Sequence, residues 1–268
     1  MTSDRSRFPV PQDAIIWVPG DLGDPESVQD LVQHCDAVIH AALFRPSRLF
    51  MGGEGDILPF VEKNIVGTIR LIETAYRARL TRFIFISTCA VHDKILDDRP
   101  LDETHPLWPL SHYGAHKAAL EAFVHSYGFG LGFPICALRP TGIYGLAHRA
   151  QTSKWFDLVA AVARGEDVIC RHGGKEVHAA DVARAAAVLL NAEPVAGEAY
   201  NCYDRYISEL EVATLARELT GSASVIQGEA PRPRHQIESA KLQALGMRFG
   251  GLALLKQTIT EMIDAAHS

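Results

Sequence analysis

Short apolar runs alternating with stretches of helical spacing constrain this chain more than any other feature. The runs cover residues 14–18, 37–40, 82–86 and 134–138. Strands with little polar alternation are buried on both faces, and strands that take turns with helices build parallel βαβ units. Between them, residues 25–34 open on Pro25 with acids nearby, a good helix start. Residues 57–79 and 112–127 repeat apolar side chains at helical period. The fold class is therefore α/β with a parallel sheet. After Gly145 the rhythm loosens, with helices expected over 153–164, 181–191, 208–219, 238–245 and 252–265 and short strands at 168–170 and 198–202. This half reads as a smaller cap, so two partly interleaved regions are expected, 1–150 and 151–268.

A formal charge of −6 without a Lys/Arg-rich run argues against nucleic acid, since neutralising phosphates takes a basic stripe. A small-molecule partner fits better. Cys35, Cys89, Cys136, Cys170 and Cys202 are widely spaced, form no Cys-x-x-Cys pair and read as reduced thiols. Residues 1–8 hold no apolar signal core, and no stretch is long enough to cross a bilayer. A cytoplasmic protein is expected.

Chemistry concentrates at Tyr113-Gly-Ala-His-Lys117. On a helix this spacing puts a phenol and an ammonium on one face, one turn apart. A tyrosine of pKa about 10 is a poor base at neutral pH unless a nearby cation favours the phenolate, and Lys117 is placed to supply one. Upstream, a strand ends in Ile86-Ser87-Thr88, and the carboxyl ends of parallel strands are where open α/β sheets bind ligands. Two exposed helix residues are the plain alternative. His112 and His116 also stand four apart but lack a third ligand at metal spacing, and Gly128-Phe-Gly-Leu-Gly132 follows a helix and reads as its exit.

With these residues in place, the run 82–92 (Arg-Phe-Ile-Phe-Ile-Ser-Thr-Cys-Ala-Val-His) and Tyr113-x-x-x-Lys117 resemble the extended short-chain dehydrogenase/reductase family, the UDP-galactose 4-epimerase-like NAD-dependent epimerase/dehydratases. The resemblance implies a Rossmann-like doubly wound parallel sheet. It implies Tyr113 as general acid/base, Lys117 on the nicotinamide ribose and Thr88 orienting the substrate oxygen, with Ser87 beside them. Asp21 and Leu22 in Gly20-Asp-Leu-Gly-Asp24 resemble the segment that meets adenine. His40-Ala41-Ala42 resembles the strand end beside the adenosine ribose. Asn64 in Asn64-Ile-Val-Gly-Thr68 resembles the helix bracing the active-site strand. Pro140 and Thr141 in Arg139-Pro-Thr-Gly-Ile-Tyr-Gly145 resemble the loop that passes the nicotinamide carboxamide. His178-Ala-Ala-Asp181 resembles an element ahead of a helix, with Asp181 most simply an N-cap. A turn, a cap or packing is the plain alternative for each.

NAD or NADP is the cofactor the resemblance implies. The family's opening strand, Gly-x-x-Gly-x-x-Gly turn and second strand are missing, and Ser3-Asp-Arg-Ser6 resembles the loop that follows them. Backbone N–H groups at that turn hold the pyrophosphate, so dinucleotide affinity is expected to drop. A start downstream of the true one is one explanation. The strands at 14–18 and 37–40 must then pair directly or leave open edges, and a bare apolar sheet face predicts a homodimer or larger oligomer. Two functions compete: an epimerase/dehydratase-type oxidoreductase acting on a nucleotide-sugar or related carbonyl substrate, and a non-catalytic relative serving binding, assembly or regulation. Arg171, Arg232 and Arg234 could meet a substrate phosphate or simply face solvent.

Overall fold

Apolar side chains on both faces of three consecutive strands produce the sheet. In the computed structural model, which describes residues 15–47, 52–231, 233 and 235–267, α1 (Pro25–Val32) precedes β1 (Ala37–His40). A helical stretch follows as α2 (Ile57–Val61), a π turn (Glu62–Val66) and α3 (Gly67–Arg77). Then come β2 (Arg82–Ile86), α4 (His112–His125), a second π turn (Ser126–Gly130) and β3 (Ile135–Pro140). β1 pairs with β2 and β2 with β3, all parallel, with Val38 opposite Phe83 and Ile84 opposite Cys136.

The rest of the chain supplies β4 (Gly142–Tyr144), α5 (Phe156–Ala163), β5 (Val168–Cys170), β6 (Gly173–His178) and α6 (Ala179–Asn191). After these come β7 (Ala199–Cys202), β8 (Arg205–Ser208), α7 (Glu209–Thr220), β9 (Ile226–Gly228), α8 (Ala240–Ala244) and α9 (Gly251–His267). β7 joins the main sheet, whose order is β1-β2-β3-β7. β6 lies between β4 and β8, and β5 pairs with β9.

The chain divides into two compact units. The first takes the described residues up to Arg99, then Glu103–Arg139 and Ala186–Tyr200; the second takes Pro100–Asp102, Pro140–Ala185 and the described residues from Asn201. In the first, Phe83, Phe85, Ile135 and Ala137 pack with Val28 and Val32 of α1, Leu71 and Ile72 of α3 and Leu120 and Val124 of α4. The second has its own core of Tyr144, Phe156, Val159, Ile207, Val212, Leu255, Ile259 and Met262. Each cluster draws on helices and strands distant in sequence, as a separate core requires.

Three expectations change. No strand forms over the described residues Ile15–Val18; Ile16 is 91% exposed. A strand survives only on a ladder, and among the described residues β1 has one neighbour, β2. The sheet face expected to lie bare is covered over β2 and β3, where Ile84, Cys136 and Leu138 are fully buried; on β1, Ile39 faces outward at 48% exposure. Asp181 is not the N-cap of its helix: α6 begins at Ala179, and the buried carboxylate of Asp181 accepts from Gly250 N at 2.9 Å and pairs with Arg184. Ser3–Ser6, Arg232 and Arg234 lie outside the described residues.

Candidate active site

The site is assembled where β2 ends against the start of α4. Ser87 extends the strand by donating its N–H to Leu138 O at 2.7 Å. Thr88 then caps a single tight turn, Cys89–Val91, its Oγ1 accepting from Ala90 N at 3.1 Å. Ser111 caps α4 through Gly114 N at 3.0 Å, and the buried Glu54 carboxylate accepts from Tyr113 N at 3.1 Å. Two acceptors thus satisfy N–H groups that a helix start leaves unpaired. A Cβ on Gly114 would stand 2.5 Å from Ala90 O, so glycine beside Tyr113 is what lets the helix start lie on the Thr88 turn.

This contact joins the two key hydroxyls. The Thr88 hydroxyl hydrogen-bonds the Tyr113 phenol. Burial pushes the phenol pKa up, while that hydrogen bond and the charge of Arg45 pull it down. Lys117, one turn on, is buried; its Nζ donates to Ile86 O at 2.7 Å and sits 4.6 Å above the Phe85 ring. Burial lowers its amine to about 8, against the opposing pull of the Glu121 carboxylate. Arg45 thus adds a cationic pull on the phenol, and one N–H of Lys117 is spent on the strand end. Arg45 follows Phe44, whose N–H and C=O are both held by Asn64 at 2.8 Å. Asn64 therefore fixes the loop after β1, whereas the sequence pointed to the active-site strand.

Two buried histidines flank Lys117. His40 Nε2 meets Thr68 Oγ1 at 2.8 Å, and burial, then the Lys117 charge, hold its pKa to about 3. His116 packs edge-on to Phe60 at 5.0 Å, and burial lowers it to about 3 as well. Both are neutral at pH 7.

A hollow of about 550 Å³ lies along β1 and α1, lined by Asp21, Leu22, Ala41 and Ala42 together with Val38 and His40. Asp21 Oδ1 accepts from Gly23 N at 2.7 Å and Oδ2 pairs with Lys63 at 2.9 Å, contacts that hold its carboxyl below the usual range. Leu22 lies against Gly67 and its carbonyl accepts from Arg70 at 2.7 Å. An apolar slot with one carboxylate fits an adenosine, and Tyr113 with Lys117 fits a ribose. The pyrophosphate between them is not provided for among the described residues. α1, whose first turn reaches the hollow, is capped by Asp24, whose carboxylate takes the N–H groups of Glu26 and Ser27.

Pro140 closes β3 and Thr141 follows it, donating its N–H to Cys202 O at 3.1 Å; both count with the second unit. That unit has a hollow of about 420 Å³, which sequence reasoning missed because its residues come from three separate stretches, 153–158, 172–176 and 207–209. Lys154, Trp155, Asp157, His172, Glu176 and Glu209 line it. Lys154 pairs with the buried Glu176 at 2.5 Å and lies 5.0 Å over the Trp155 ring. Trp155 holds a left-handed φ of 68°, strain that a non-glycine residue accepts only under surrounding constraint.

Comparison with known proteins gives the family of the chain. Residues 1–202 match the NAD dependent epimerase/dehydratase family. The chain is 31% identical over 255 residues to the dTDP-D-glucose 4,6-dehydratase of Mus musculus, covering 87% of this chain and 69% of that one. It is 30% identical over 242 residues to the low-salt glycan biosynthesis protein Agl12 of Haloferax volcanii, covering 86% and 76%. Among solved structures, the Thermus thermophilus UDP-glucose 4-epimerase complex with NAD superposes with a TM-score of 0.73 at 24% identity, covering 97% of this chain and 86% of that one. RMD from Pseudomonas aeruginosa complexed with NADPH gives 0.77 at 21%, covering 94% and 90%. These last two likenesses speak for the fold. Matched over three quarters of its length and sharing the α/β fold of those enzymes, the chain belongs to the NAD dependent epimerase/dehydratase family.

Proposed function

We propose that the chain is an NAD- or NADP-dependent oxidoreductase of the epimerase/dehydratase type that acts at a carbinol or carbonyl carbon of a nucleotide-sugar or related substrate. One observation carries this reading: Tyr113, whose phenol hydrogen-bonds the Thr88 hydroxyl, stands one helical turn from the buried Lys117. In the oxidation direction the substrate hydroxyl sits between Thr88 Oγ1 and Tyr113 Oη. Thr88 orients it, and Tyr113 accepts its proton as the carbon gives up a hydride. Reduction runs the other way, with the phenol as acid. A nicotinamide, when bound, supplies the two-electron acceptor or donor. The raised phenol pKa keeps Tyr113 protonated at rest, ready to act as the acid in reduction; for oxidation the phenol first gives its proton to solvent, and the Thr88 hydrogen bond and Arg45 favour the phenolate that then takes the substrate proton. Lys117 holds the nicotinamide ribose, and Ser87 backs Thr88.

Names of the relatives suggest the substrate class. Five free thiols suit a reducing compartment such as the cytoplasm, and no helix among the described residues is long and apolar enough to span a membrane. The open side of β1 supports a homodimer or larger assembly.

The competing reading is a non-catalytic relative that binds another ligand. Calorimetric titration of the 268-residue chain with NAD and NADP, followed by near-ultraviolet absorbance of reduced nicotinamide with nucleotide-sugars, separates the two. Binding tighter than about micromolar excludes the second; no heat and no hydride transfer reject the first.

A further inference from the structure

Beneath the site lies an ion pair that the proposed reaction does not use. Glu121 on α4 and Arg139 on β3 are 0% and 1% exposed. Arg139 Nε donates to both carboxylate oxygens, at 3.1 and 2.9 Å, and Nη2 to Oε2 at 2.6 Å. The same carboxylate accepts from the Ser87 hydroxyl, one residue before Thr88. Arg139 Nη1 turns to His92 Nε2 at 3.4 Å and Glu103 O at 3.5 Å, tying the segment after Thr88 to the same point. Glu121 also stands one turn beyond Lys117, whose Nζ binds the carbonyl of Ile86, next to Ser87.

We propose that Glu121 is a positioning residue of this site: one buried carboxylate fixes the Ser87–Thr88 strand end and stands as a counter-charge one helical turn from Lys117. The inference rests on the Thr88, Tyr113 and Lys117 reading given above. The titratable groups coupled to the Lys117 charge are His40 from β1 and His116 and Glu121 on α4 itself. Glu121 is the anion of this set, and both histidines are neutral. Removing the carboxylate takes the counter-charge from the buried Lys117 as well as from Arg139, with which it pairs, and the lysine is the one that can shed its proton. A merely structural ion pair would alter stability and leave the lysine titration where it was.

The test is NMR titration of the intact chain grown with isotope-labelled lysine, the Lys117 signal assigned by its loss in Lys117→Met. Lys117 should titrate near about 8 in the unaltered chain. In Glu121→Gln it should move down by about one pH unit or more, a tenfold loss of proton affinity. In Glu121→Asp, which draws the charge back by one methylene, it should move less in the same direction. An unmoved titration in folded Glu121→Gln overturns the proposal. If that variant does not fold, Glu121→Asp decides alone, and an unmoved signal there overturns it too. The readout needs no dinucleotide, so a shifted lysine in a chain that binds none keeps this inference and rejects the proposed function, while tight binding with an unmoved lysine does the reverse.

Discussion

The two ends of the first unit's ligand-binding edge are built to different standards. Where β2 meets α4, polar groups close on one another: Thr88 on Tyr113, Lys117 on Ile86 O, Ser87 on Glu121 and Glu121 on Arg139. Along β1 the contacts are loose. The Asp21–Lys63 pair is 50% and 38% exposed, and Ile39 faces outward. In the proposed function, chemistry falls to the closely bonded end and cofactor binding at the other rests on a half-open slot. Buried polar networks are costly unless fully satisfied, so the dense bonding around Thr88 and Tyr113 marks the end where function concentrates.

Mutations should therefore hurt in proportion to which end they touch. Tyr113→Phe keeps the ring and removes the acid/base, so hydride transfer should fall about 10²–10⁴-fold with the circular dichroism spectrum unchanged. Retained activity would move the acid/base role elsewhere. Thr88→Ala loses one hydrogen bond to the phenol and one cap, and transfer should drop about tenfold, with Tyr113 ionising at still higher pH in ultraviolet difference titration. An unshifted phenol would break the link between the two hydroxyls.

Acid should attack the tightly built end first. His40 and His116 have folded pKa values of about 3 against an ordinary 6.5, so below 6.5 the unfolded chain binds protons that the folded one refuses. Stability is fully present above 6.5 and is lost as pH falls toward 3, by up to about 1.4 kcal/mol per pH unit for each histidine. Urea unfolding at stepped pH should show this slope, and His40→Gln should lessen it; an unchanged slope would remove His40 from the account. The smallest effect belongs to the loose end: Lys63→Met, which opens an exposed pair, should shift stability by less than about 1 kcal/mol. A larger loss would mean that the β1 edge is better built than its exposure indicates.

Legibility in the sequence follows the same division. β1 and β2 are readable to the residue because their apolar runs are uninterrupted, and Tyr113 and Lys117 are readable because helical spacing fixes a shared face. Thr88 is placed by its position at the strand end. Arg45 and Glu54 are not readable, since they reach Tyr113 from a loop whose path depends on Asn64 holding Phe44. β6 escapes notice because Gly-Gly-Lys-Glu-Val-His has no apolar run, and its pairing with β4 and β8 makes it a strand. The stretch 14–18 has the composition of a strand, but apolar composition alone does not supply a ladder. Spacing puts Lys117 on the face of the phenol; its bond to the strand-end carbonyl is invisible in sequence.

The account is tested most directly by calorimetric titration of NAD into the unaltered chain, Lys117→Met and Asp21→Ala side by side. Affinity carried by the tightly built end predicts that Lys117→Met abolishes the binding heat while Asp21→Ala stays within about threefold of the unaltered chain, a cost of about 0.7 kcal/mol or less. Binding that survives Lys117→Met and vanishes with Asp21→Ala would contradict it.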